Sequence, residues 1–240
     1  MGRRVDRLEG AVAEAGDKAV AIACDVTDTA STEKAIAQAA EVMGGIDGIV
    51  YAPAIGPLVK LADTYVETWR SVFDTNVIGA ATVTAAALPY LQESSGTAIY
   101  LSSVSSTGPV WPGLATYAVS KAALNKLVDA WRAEHPELGF TCLTVGECAG
   151  GAGDSMTQFA DGWDRDLAME LVPGWVEKGY MTGAMMDVTK LVQVVDQILR
   201  SDSSVTIPVA TVAPRLVTVD HHPDRDEGAG DLERKAAEAG

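Results

Sequence analysis

Apolar residues recur along this chain in two alternating patterns, one with helical spacing and one that forms short continuous runs. Val5, Leu8 and Val12 recur every three to four positions, as on a helix that packs one face on a core. Residues 98–101 form a short apolar run, which is typical of a buried strand. The strands predicted in this way are residues 18–26, 46–54, 98–101, 139–145 and 204–212. The predicted helices are residues 1–16, 27–43, 63–90, 117–134, 163–180 in part, with a break at Pro173-Gly174, and 187–200.

Strands that alternate with helices predict an α/β fold with a doubly wound, mainly parallel sheet flanked by helices. In such a sheet, ligands bind at the carboxyl ends of the strands. Asp25, residues 51–54, Ser103 and residues 145–147 follow or end predicted strands, so we expect them near one another. We expect one domain over residues 1–215 and an acidic, flexible tail over residues 216–240, which offer little apolar surface to bury.

Composition and charge narrow the possible partners. The chain has 240 residues, with 18 Lys and Arg against 33 Asp and Glu, for a formal charge of −15. That balance argues against nucleic acid and anionic membrane surfaces, because both are bound by a basic face. Three cysteines without metal-ligand spacing suggest a reducing, cytoplasmic setting. No apolar run approaches the length of a membrane span, which predicts no membrane association.

The stretch from Ser103 to Lys121 carries the candidate chemistry. Tyr117 and Lys121 are four residues apart at the start of a helical pattern, so they lie on one helix face. A cation beside a phenol favours the phenolate, which predicts a lowered pKa for Tyr117. A hydroxyl at a strand end, such as that of Ser103, can hold a substrate oxygen next to this phenol. A Tyr-x-x-x-Lys pair alone is often only an exposed helix pair, and its place after a strand, serines and a Gly/Pro loop favours a site.

These residues resemble the catalytic serine, tyrosine and lysine of the short-chain dehydrogenase/reductase family, and the resemblance extends to about residue 215. It implies an oxidoreductase in which Tyr117 is the general acid/base, Lys121 stabilises its phenolate and Ser103 orients the substrate oxygen. The loop from Ser103 to Tyr117 is one residue longer than the family spacing, so Ser102 or Ser105 competes with Ser103.

Asn76, in Thr-Asn-Val, resembles the asparagine that completes the family's catalytic tetrad and supports its proton relay. The alternative is a helix-interior asparagine that bonds to nearby backbone. The resemblance also implies a small carbonyl or alcohol substrate. It further implies a homodimer or homotetramer assembled through the long helices, residues 63–90 and 117–134.

The resemblance implies a nicotinamide cofactor, NADP(H) or NAD(H). Asp25 and Val26 resemble the pair that contacts the adenine, and Lys121 with Tyr117 would hold the ribose. Residues 51–54 stand where the family has Asn-Asn-Ala-Gly, which places Ala52 at the cofactor, and residues 146–148 replace a usual Pro-Gly.

Arg3 and Arg4 resemble the basic pair of members that use NADPH, because a guanidinium pairs well with the additional phosphate. The alternative is a solvated pair at the terminus.

Family members begin with a strand, a glycine-rich turn and a helix, and this unit is not found before residue 18. We therefore expect a Rossmann-like domain that lacks its first β-α-β unit of about 30 residues. The strand at residues 46–54 would then have an open edge. Two functions follow: an NAD(P)-dependent oxidoreductase, or a non-catalytic chain that docks on a partner and binds cofactor poorly.

Two further features give weaker signals. The glycine cluster at residues 150–155 lacks a phosphate-binding pattern, so we interpret it as a lid over the substrate. His221 and His222 lie beside Asp224 in a polar tail, where adjacent histidines are usually solvated, and no metal site is predicted.

Overall fold

A four-stranded parallel sheet is the centre of the computed structural model, which describes residues 1–149 and 158–215. Its order is β1-β2-β3-β6, and each neighbouring pair is parallel. A separate two-stranded parallel sheet joins β4 and β5. The strands are β1 Gly48–Tyr51, β2 Thr97–Ser103, β3 Gly139–Val145, β4 Cys148–Ala149, β5 Met186–Asp187 and β6 Val209–Val212.

Helices connect the strands and cover the sheet. The helices are α1 Val5–Ala15, α2 Thr29–Met43, α3 Val66–Phe73, α4 Gly79–Ser94, α5 Ala115–Glu134, α6 Arg165–Glu177 and α7 Val188–Leu199. A π-helical turn, Asp74–Ile78, joins α3 to α4 without a break. Short 3-10 helices span Leu61–Asp63, Val104–Ser106 and Gln158–Ala160.

Apolar residues of the central strands point alternately to two core layers. Tyr100 and Phe140 pack with α4 and α5 on one face of the sheet. Ile99 and Leu143 pack with α7 on the other face. Because β2 and β3 are buried on both faces, their sequences read as continuous apolar runs. The predicted doubly wound parallel sheet is confirmed.

The predicted strand at residues 18–26 is wrong as a strand. This segment makes a single bridge, in which Ala23 pairs with Gly2. The Gly2 N–H donates to the Ile22 carbonyl, and the Cys24 N–H donates to the Gly2 carbonyl. An apolar run becomes a strand only where a neighbour supplies a ladder of hydrogen bonds, and two bonds do not make one. Within the described residues, β1 pairs only with β2 and is an edge of the sheet.

The predicted helix at residues 63–90 is present with shifted ends, as one helical stretch over Val66–Ser94. This stretch of 29 residues is long and apolar enough to cross a membrane by length and composition, which corrects the prediction that no run approaches that length. Ala87 and Leu91 are fully buried in the core cluster beneath it, as expected for a helix packed on a sheet. Thr64 and Glu67 have the spacing of a capping box, which would predict a Thr64 cap, but Thr64 donates to the Lys60 carbonyl and Tyr65 is the N-cap residue.

Two further helices test predicted boundaries. Asp187 caps α7 by accepting the Thr189 N–H at 2.7 Å, so this helix begins where the range 187–200 predicts. The predicted break at Pro173 is wrong, since α6 runs through it to Glu177. Trp175, just beyond the proline, is 2% exposed and anchors this last turn in the core. The glycine cluster at residues 150–155, the tail at residues 216–240 and both of its histidines lie outside the described residues.

The start of α4 packs so closely on β1 that only glycine fits there. A Cβ on Gly79 would lie 2.6 Å from the Tyr51 Oη and 3.0 Å from the Val26 carbonyl. We expect Gly79→Ala to lower the free energy of unfolding by about 1–3 kcal/mol, because the added methyl overpacks this contact. Urea denaturation measures the change.

Gly10→Ala in α1 is the matched control, since nothing lies within 4 Å of its added Cβ. We expect it to be neutral or to stabilise the chain by up to about 1 kcal/mol. Equal stability of the Gly79→Ala variant and the unmodified chain would contradict the tight approach.

Candidate active site

The carboxyl end of β2 presents the candidate hydroxyl. Ser103 lies beside the Tyr117 phenol, where its hydroxyl acts to lower the phenol's pKa, and its oxygen accepts the Ser105 N–H at 3.2 Å. The Ser103 and Ser105 hydroxyl oxygens lie 3.0 Å apart. Ser102 instead donates to the side-chain oxygen of Asn125 at 2.6 Å. Of the three candidate serines, Ser103 is therefore the one that the fold brings to the phenol, with Ser105 beside it.

Tyr117 and Lys121 lie one turn apart on α5, with the Lys121 Nζ 5.6 Å from the centre of the Tyr117 ring. Burial raises the pKa of Tyr117 to about 12, and the hydrogen bond with Ser103 acts in the opposite direction. The predicted lowering of the Tyr117 pKa is therefore wrong for this arrangement. Removing solvent from a phenol disfavours its anion, and here that effect outweighs the neighbouring groups.

Lys121 is almost completely buried, with 2% of its surface exposed. Its Nζ donates to the Leu101 carbonyl at 2.6 Å, which ties α5 to β2. Burial lowers the pKa of Lys121 to about 8, while the Cys142 thiol acts in the opposite direction. A buried ammonium with a shifted pKa is a common property of functional sites.

Asn76 lies in the π-helical turn and connects three parts of the site. Its side-chain oxygen accepts the Ile55 N–H at 2.8 Å, and its nitrogen donates to the Ile55 carbonyl at 2.9 Å. The same nitrogen donates to the Ser120 hydroxyl at 2.9 Å, and Ser120 donates to the Tyr117 carbonyl at 2.7 Å. Asn76 is fully buried, so its side chain holds the loop after β1 against the helix that carries Tyr117.

Asn125, one turn beyond Lys121 on α5, was missed by sequence reasoning. Its oxygen accepts from Ser102 and from the Cys142 thiol at 3.0 Å, and its nitrogen donates to the Ser106 hydroxyl at 2.9 Å. Ser106 donates in turn to the Ser103 carbonyl at 2.6 Å. This network holds the backbone that presents Ser103. A polar residue at helical spacing from Lys121 was the signal that could have found it.

Aromatic rings on one side of Tyr117 were also missed. The Phe159 ring centre lies 4.7 Å from that of Tyr117, and the Trp163 ring centre lies 5.6 Å from that of Phe159. The Trp163 Nε1 donates to the Gly56 carbonyl at 2.9 Å. These contacts join segments far apart in the chain, so spacing alone gave no signal for them.

A cavity of about 820 Å³ lies between α1, the segment after Ala23 and the carboxyl end of β1. Its lining includes Arg3, Arg4, Asp25 and Val26, all predicted at the cofactor, and also Arg7, which was missed although it lies one turn from Arg3. Pockets for cofactors commonly enclose about 300–1,000 Å³. The volume and the three guanidinium groups fit a phosphorylated dinucleotide.

Asp25 and Ala52, both predicted at the cofactor, lie in different surroundings. The Asp25 carboxylate accepts from the Thr27 N–H at 3.0 Å and from its hydroxyl at 2.8 Å. The Thr27 N–H, the Thr27 hydroxyl and the charge of Arg3 all lower the pKa of Asp25, in decreasing order. Ala52 is exposed and is not among the lining residues, whereas its neighbours Tyr51 and Pro53 are.

The loop after β1 lies between the cavity and Tyr117. Ile55 and Thr75 line the cavity, and Ile55 is held by the side chain of Asn76. Tyr51 donates to the Thr75 carbonyl, which ties the end of β1 to the π-helical turn. Gly56 follows Ile55, and a Cβ on it would lie 3.0 Å from the Tyr117 Cδ2, so this one segment borders both the large cavity and the Tyr117 ring.

The loop after β3 differs from the Pro-Gly expected of the family. Its Glu147 carboxylate accepts from the Thr182 N–H at 2.7 Å and from the Thr182 hydroxyl at 2.6 Å. The following residues form β4, which pairs with β5. Within the described residues, the Glu147–Thr182 hydrogen bonds and the pairing of β4 with β5 therefore fix the conformation of this loop.

A doubly wound parallel sheet with a serine, a tyrosine and a lysine grouped at its carboxyl edge defines a Rossmann-like α/β protein. Residues 1–165 match the sequence profile of the short chain dehydrogenase family. Because this match covers more than half of the chain, the chain belongs to that family.

Similar proteins include characterised dehydrogenases. Serine 3-dehydrogenase of Agrobacterium fabrum is 36% identical over 131 residues, which are 52% of this chain and 50% of that protein. Meso-2,3-butanediol dehydrogenase of Serratia marcescens is 27% identical over 150 residues, 62% of this chain and 57% of that protein. The chain spans about half the length of the curated relatives it matches.

Solved structures show the same fold. The closed form of serine dehydrogenase complexed with NADP+ has a TM-score of 0.72 at 23% identity, over 88% of this chain and 82% of that one. An alcohol dehydrogenase from Thermococcus sibiricus complexed with 5-hydroxy-NADP has a TM-score of 0.72 at 20% identity, over 88% and 83%. At these identities the likeness establishes the fold alone.

The shifted pKa of Lys121 makes stability depend on pH. The folded chain favours the neutral amine, so the cost of burying the ammonium is present below about pH 8 and disappears as pH rises through the ordinary pKa of 10.5. Between about pH 7 and 9.5, we expect the unfolding free energy of the unmodified chain to gain about 2 kcal/mol relative to Lys121→Met. Urea denaturation at both pH values measures this difference.

Lys126→Met is the matched control, because this lysine side chain is 84% exposed. We expect its stability to follow that of the unmodified chain with pH. If Lys121→Met and Lys126→Met show the same pH dependence, the proton at Lys121 is not linked to folding.

Proposed function

We propose that this chain is an NAD(P)-dependent oxidoreductase that interconverts a carbonyl and a secondary alcohol by hydride transfer. The observation that supports it most directly is the grouping of Ser103, Tyr117 and the buried Lys121 at the carboxyl edge of the sheet. When bound, the nicotinamide supplies or accepts the hydride. The chain itself supplies a proton donor, a positive charge and a hydroxyl that orients the substrate.

Tyr117 is the general acid/base in this proposal. In the reducing direction, its Oη–H bond breaks as the proton moves to the substrate oxygen, and a phenolate remains on Tyr117. The raised pKa of Tyr117 means that the phenol is protonated at neutral pH, which is the form needed to donate. In the oxidising direction, the phenolate must first form, so we expect alkaline pH to favour that direction.

Two neighbours support this proton transfer. The Ser103 hydroxyl lies beside the phenol, so an oxygen held by both groups would lie within reach of the proton. Lys121 is an ammonium below about pH 8, and its charge stabilises the phenolate that donation leaves. Asn76 acts on the same step by holding Ser120, and through it the first turn of α5, in place.

The cavity beside β1 is the proposed cofactor site. Asp25 and Val26 would face the adenine, and Arg3, Arg4 and Arg7 would pair with phosphate oxygens. The N-terminus of α1 lies at the same cavity and adds the positive end of a helix dipole. Three guanidinium groups favour NADP(H) over NAD(H). Solved structures of the same fold include complexes with NADP+, 5-hydroxy-NADP and NADH.

The proposal also covers the substrate class, the location and the oligomeric state. We infer a small carbonyl or alcohol substrate, a cytoplasmic location, and a homodimer or homotetramer formed through the stretch Val66–Ser94 and α5. Val66, Ile78 and Val119 expose apolar side chains on these helices, as an interface between copies requires.

Removing the Tyr117 hydroxyl tests the mechanism. We expect Tyr117→Phe to lower kcat for ketone reduction by about 10²- to 10⁴-fold, because the proton donor is lost while the ring stays. NADPH oxidation with a panel of ketones measures the rate. Tyr65→Phe removes the same atom from a residue that is 77% exposed and should retain full activity. Undiminished turnover by Tyr117→Phe would rule out the assigned proton donor.

Neutralising Arg3 and Arg4 tests the cofactor site. We expect Arg3→Ser with Arg4→Ser to raise the Kd for NADPH by about 10- to 100-fold, because charge-assisted bonds to the additional phosphate are lost. The Kd for NADH should change by less than about threefold. Nicotinamide fluorescence measures both, with Arg165→Ser, an exposed site away from the cavity, as the control. Equal weakening of both cofactors would exclude phosphate selectivity.

A second candidate function is a non-catalytic subunit that docks on a partner. It is favoured by one observation: within the described residues, β1 has a ladder neighbour on one side only. An open strand edge is a surface on which another chain can add a strand. Tight NADPH binding by the unmodified chain would count against this candidate, and its absence would favour it.

A further inference from the structure

A continuous row of aromatic rings begins at Tyr117 and leads away from the phenol. Ring centres are separated by 4.7 Å between Tyr117 and Phe159, 5.6 Å between Phe159 and Trp163, and 6.0 Å between Trp163 and Trp175. Trp111 continues the row at 5.2 Å from Trp175. We call Phe159, Trp163, Trp175 and Trp111 the aromatic wall.

Two indole nitrogens of the aromatic wall are already used. The Trp163 Nε1 donates to the Gly56 carbonyl at 2.9 Å, and the Trp175 Nε1 donates to the Pro112 carbonyl at 3.1 Å. An indole nitrogen has one hydrogen to donate, so neither ring can also bind a carboxylate. Trp175 is buried, so the surface nearest the phenol is the hydrocarbon of Phe159 and Trp163.

The position of Phe159 against the phenol is set by Gly56. A Cβ on Gly56 would lie 2.3 Å from the Phe159 Cζ and 3.0 Å from the Tyr117 Cδ2. Only a residue without a side chain lets both rings approach this backbone. The phenol thus carries an aromatic neighbour at van der Waals contact, directly beside the group proposed to bind the substrate oxygen.

One pair of charged side chains near the wall is already paired. Lys60 and Glu170 flank the apolar cluster of Leu58 and Leu171, and their side chains form an ion pair at 2.6 Å. A substrate carboxylate placed against Phe159 would lose water without gaining the Trp163 indole N–H, which is costly. Apolar and aromatic groups gain from the same surface.

We propose that the substrate is a neutral ketone or secondary alcohol with an aryl or bulky apolar substituent, held by Phe159 of the aromatic wall. This proposal rests on the proposed function, because Tyr117 and Ser103 must bind the substrate oxygen for Phe159 to meet its substituent. It assigns Phe159 as a specificity-determining residue. It also separates this chain from its relative that is named for serine, an amino acid with two charges.

The kinetic test compares three substrates with the full chain. With NADPH as cosubstrate, kcat/KM for acetophenone should exceed that for acetone by at least about tenfold, and L-serine with NADP+ should be slower than both. Phe159→Ala should lower kcat/KM for acetophenone by about 10- to 100-fold, mainly through KM. For acetone, which has no ring to place, the loss should be less than about threefold.

Tyr65→Ala is the matched control, since it removes an aromatic ring that is 77% exposed and outside the site. It should leave all three substrates unchanged. The proposal is overturned if L-serine is preferred over acetophenone, or if Phe159→Ala lowers the rates with both ketones equally. In either case the turnover itself would leave the proposed function standing.

Binding of 1-phenylethanol tests the Phe159 site independently of catalytic turnover. Trp163 lies beside Phe159, so 1-phenylethanol bound at the wall should quench tryptophan fluorescence, and Phe159→Ala should weaken this binding by at least about tenfold. Quenching that depends on Phe159 in a chain that turns over no substrate would support the aryl site and reject the oxidoreductase. Absence of quenching by 1-phenylethanol would overturn the aryl site whether or not turnover occurs.

Discussion

The bond from the Lys121 ammonium to the Leu101 carbonyl is the contact on which the arrangement of the site depends. It joins the carboxyl-terminal part of β2 to the second turn of α5. Ser103 follows Leu101 by two residues and Tyr117 precedes Lys121 by one helical turn, so this one bond sets the distance between the hydroxyl and the phenol. Burying an ammonium is costly, and the carbonyl at the end of a parallel strand offsets part of that cost.

Two asparagines tie α5 to neighbouring segments, Asn76 from the π-helical turn and Asn125 from α5 itself. Asn76 holds the loop after β1 and, through Ser120, the backbone of Tyr117. Asn125 holds the segment that presents Ser103 through Ser106. Each side chain uses both its oxygen and its nitrogen, so Asn76 fixes two residues and Asn125 fixes three. Rigid support of this kind matters because proton transfer depends on donor and acceptor staying within hydrogen-bond distance.

Sequence reasoning succeeded where a feature is local and failed where it depends on surroundings. The strands β2 and β3 were predicted because burial on both faces leaves a continuous apolar run, and the Tyr117–Lys121 pair because helical spacing is regular. The prediction of a strand at residues 18–26 was wrong because apolar content does not reveal whether a neighbouring strand is present to form hydrogen bonds.

The prediction of a lowered pKa for Tyr117 was wrong for a related reason. Spacing gives the distance to a charge but not the loss of water around the phenol. Phe159 and Asn125 were missed because their contacts join distant segments. Ala52 was assigned by its place in a turn, and the fold turns its neighbours, not Ala52, toward the cavity.

The backbone at Ile55 has a consequence for how the two halves of the site communicate. Ile55 lines the large cavity, and its N–H and carbonyl are both held by the Asn76 side chain. A molecule in the cavity that shifts or stiffens the Ile55 backbone therefore changes the free energy of its hydrogen bonds to Asn76. By thermodynamic linkage, a change in those hydrogen bonds alters the binding free energy at the cavity by the same amount. Occupancy of the cavity and the position of the Tyr117 backbone are thus coupled quantities, joined through Asn76 and Ser120.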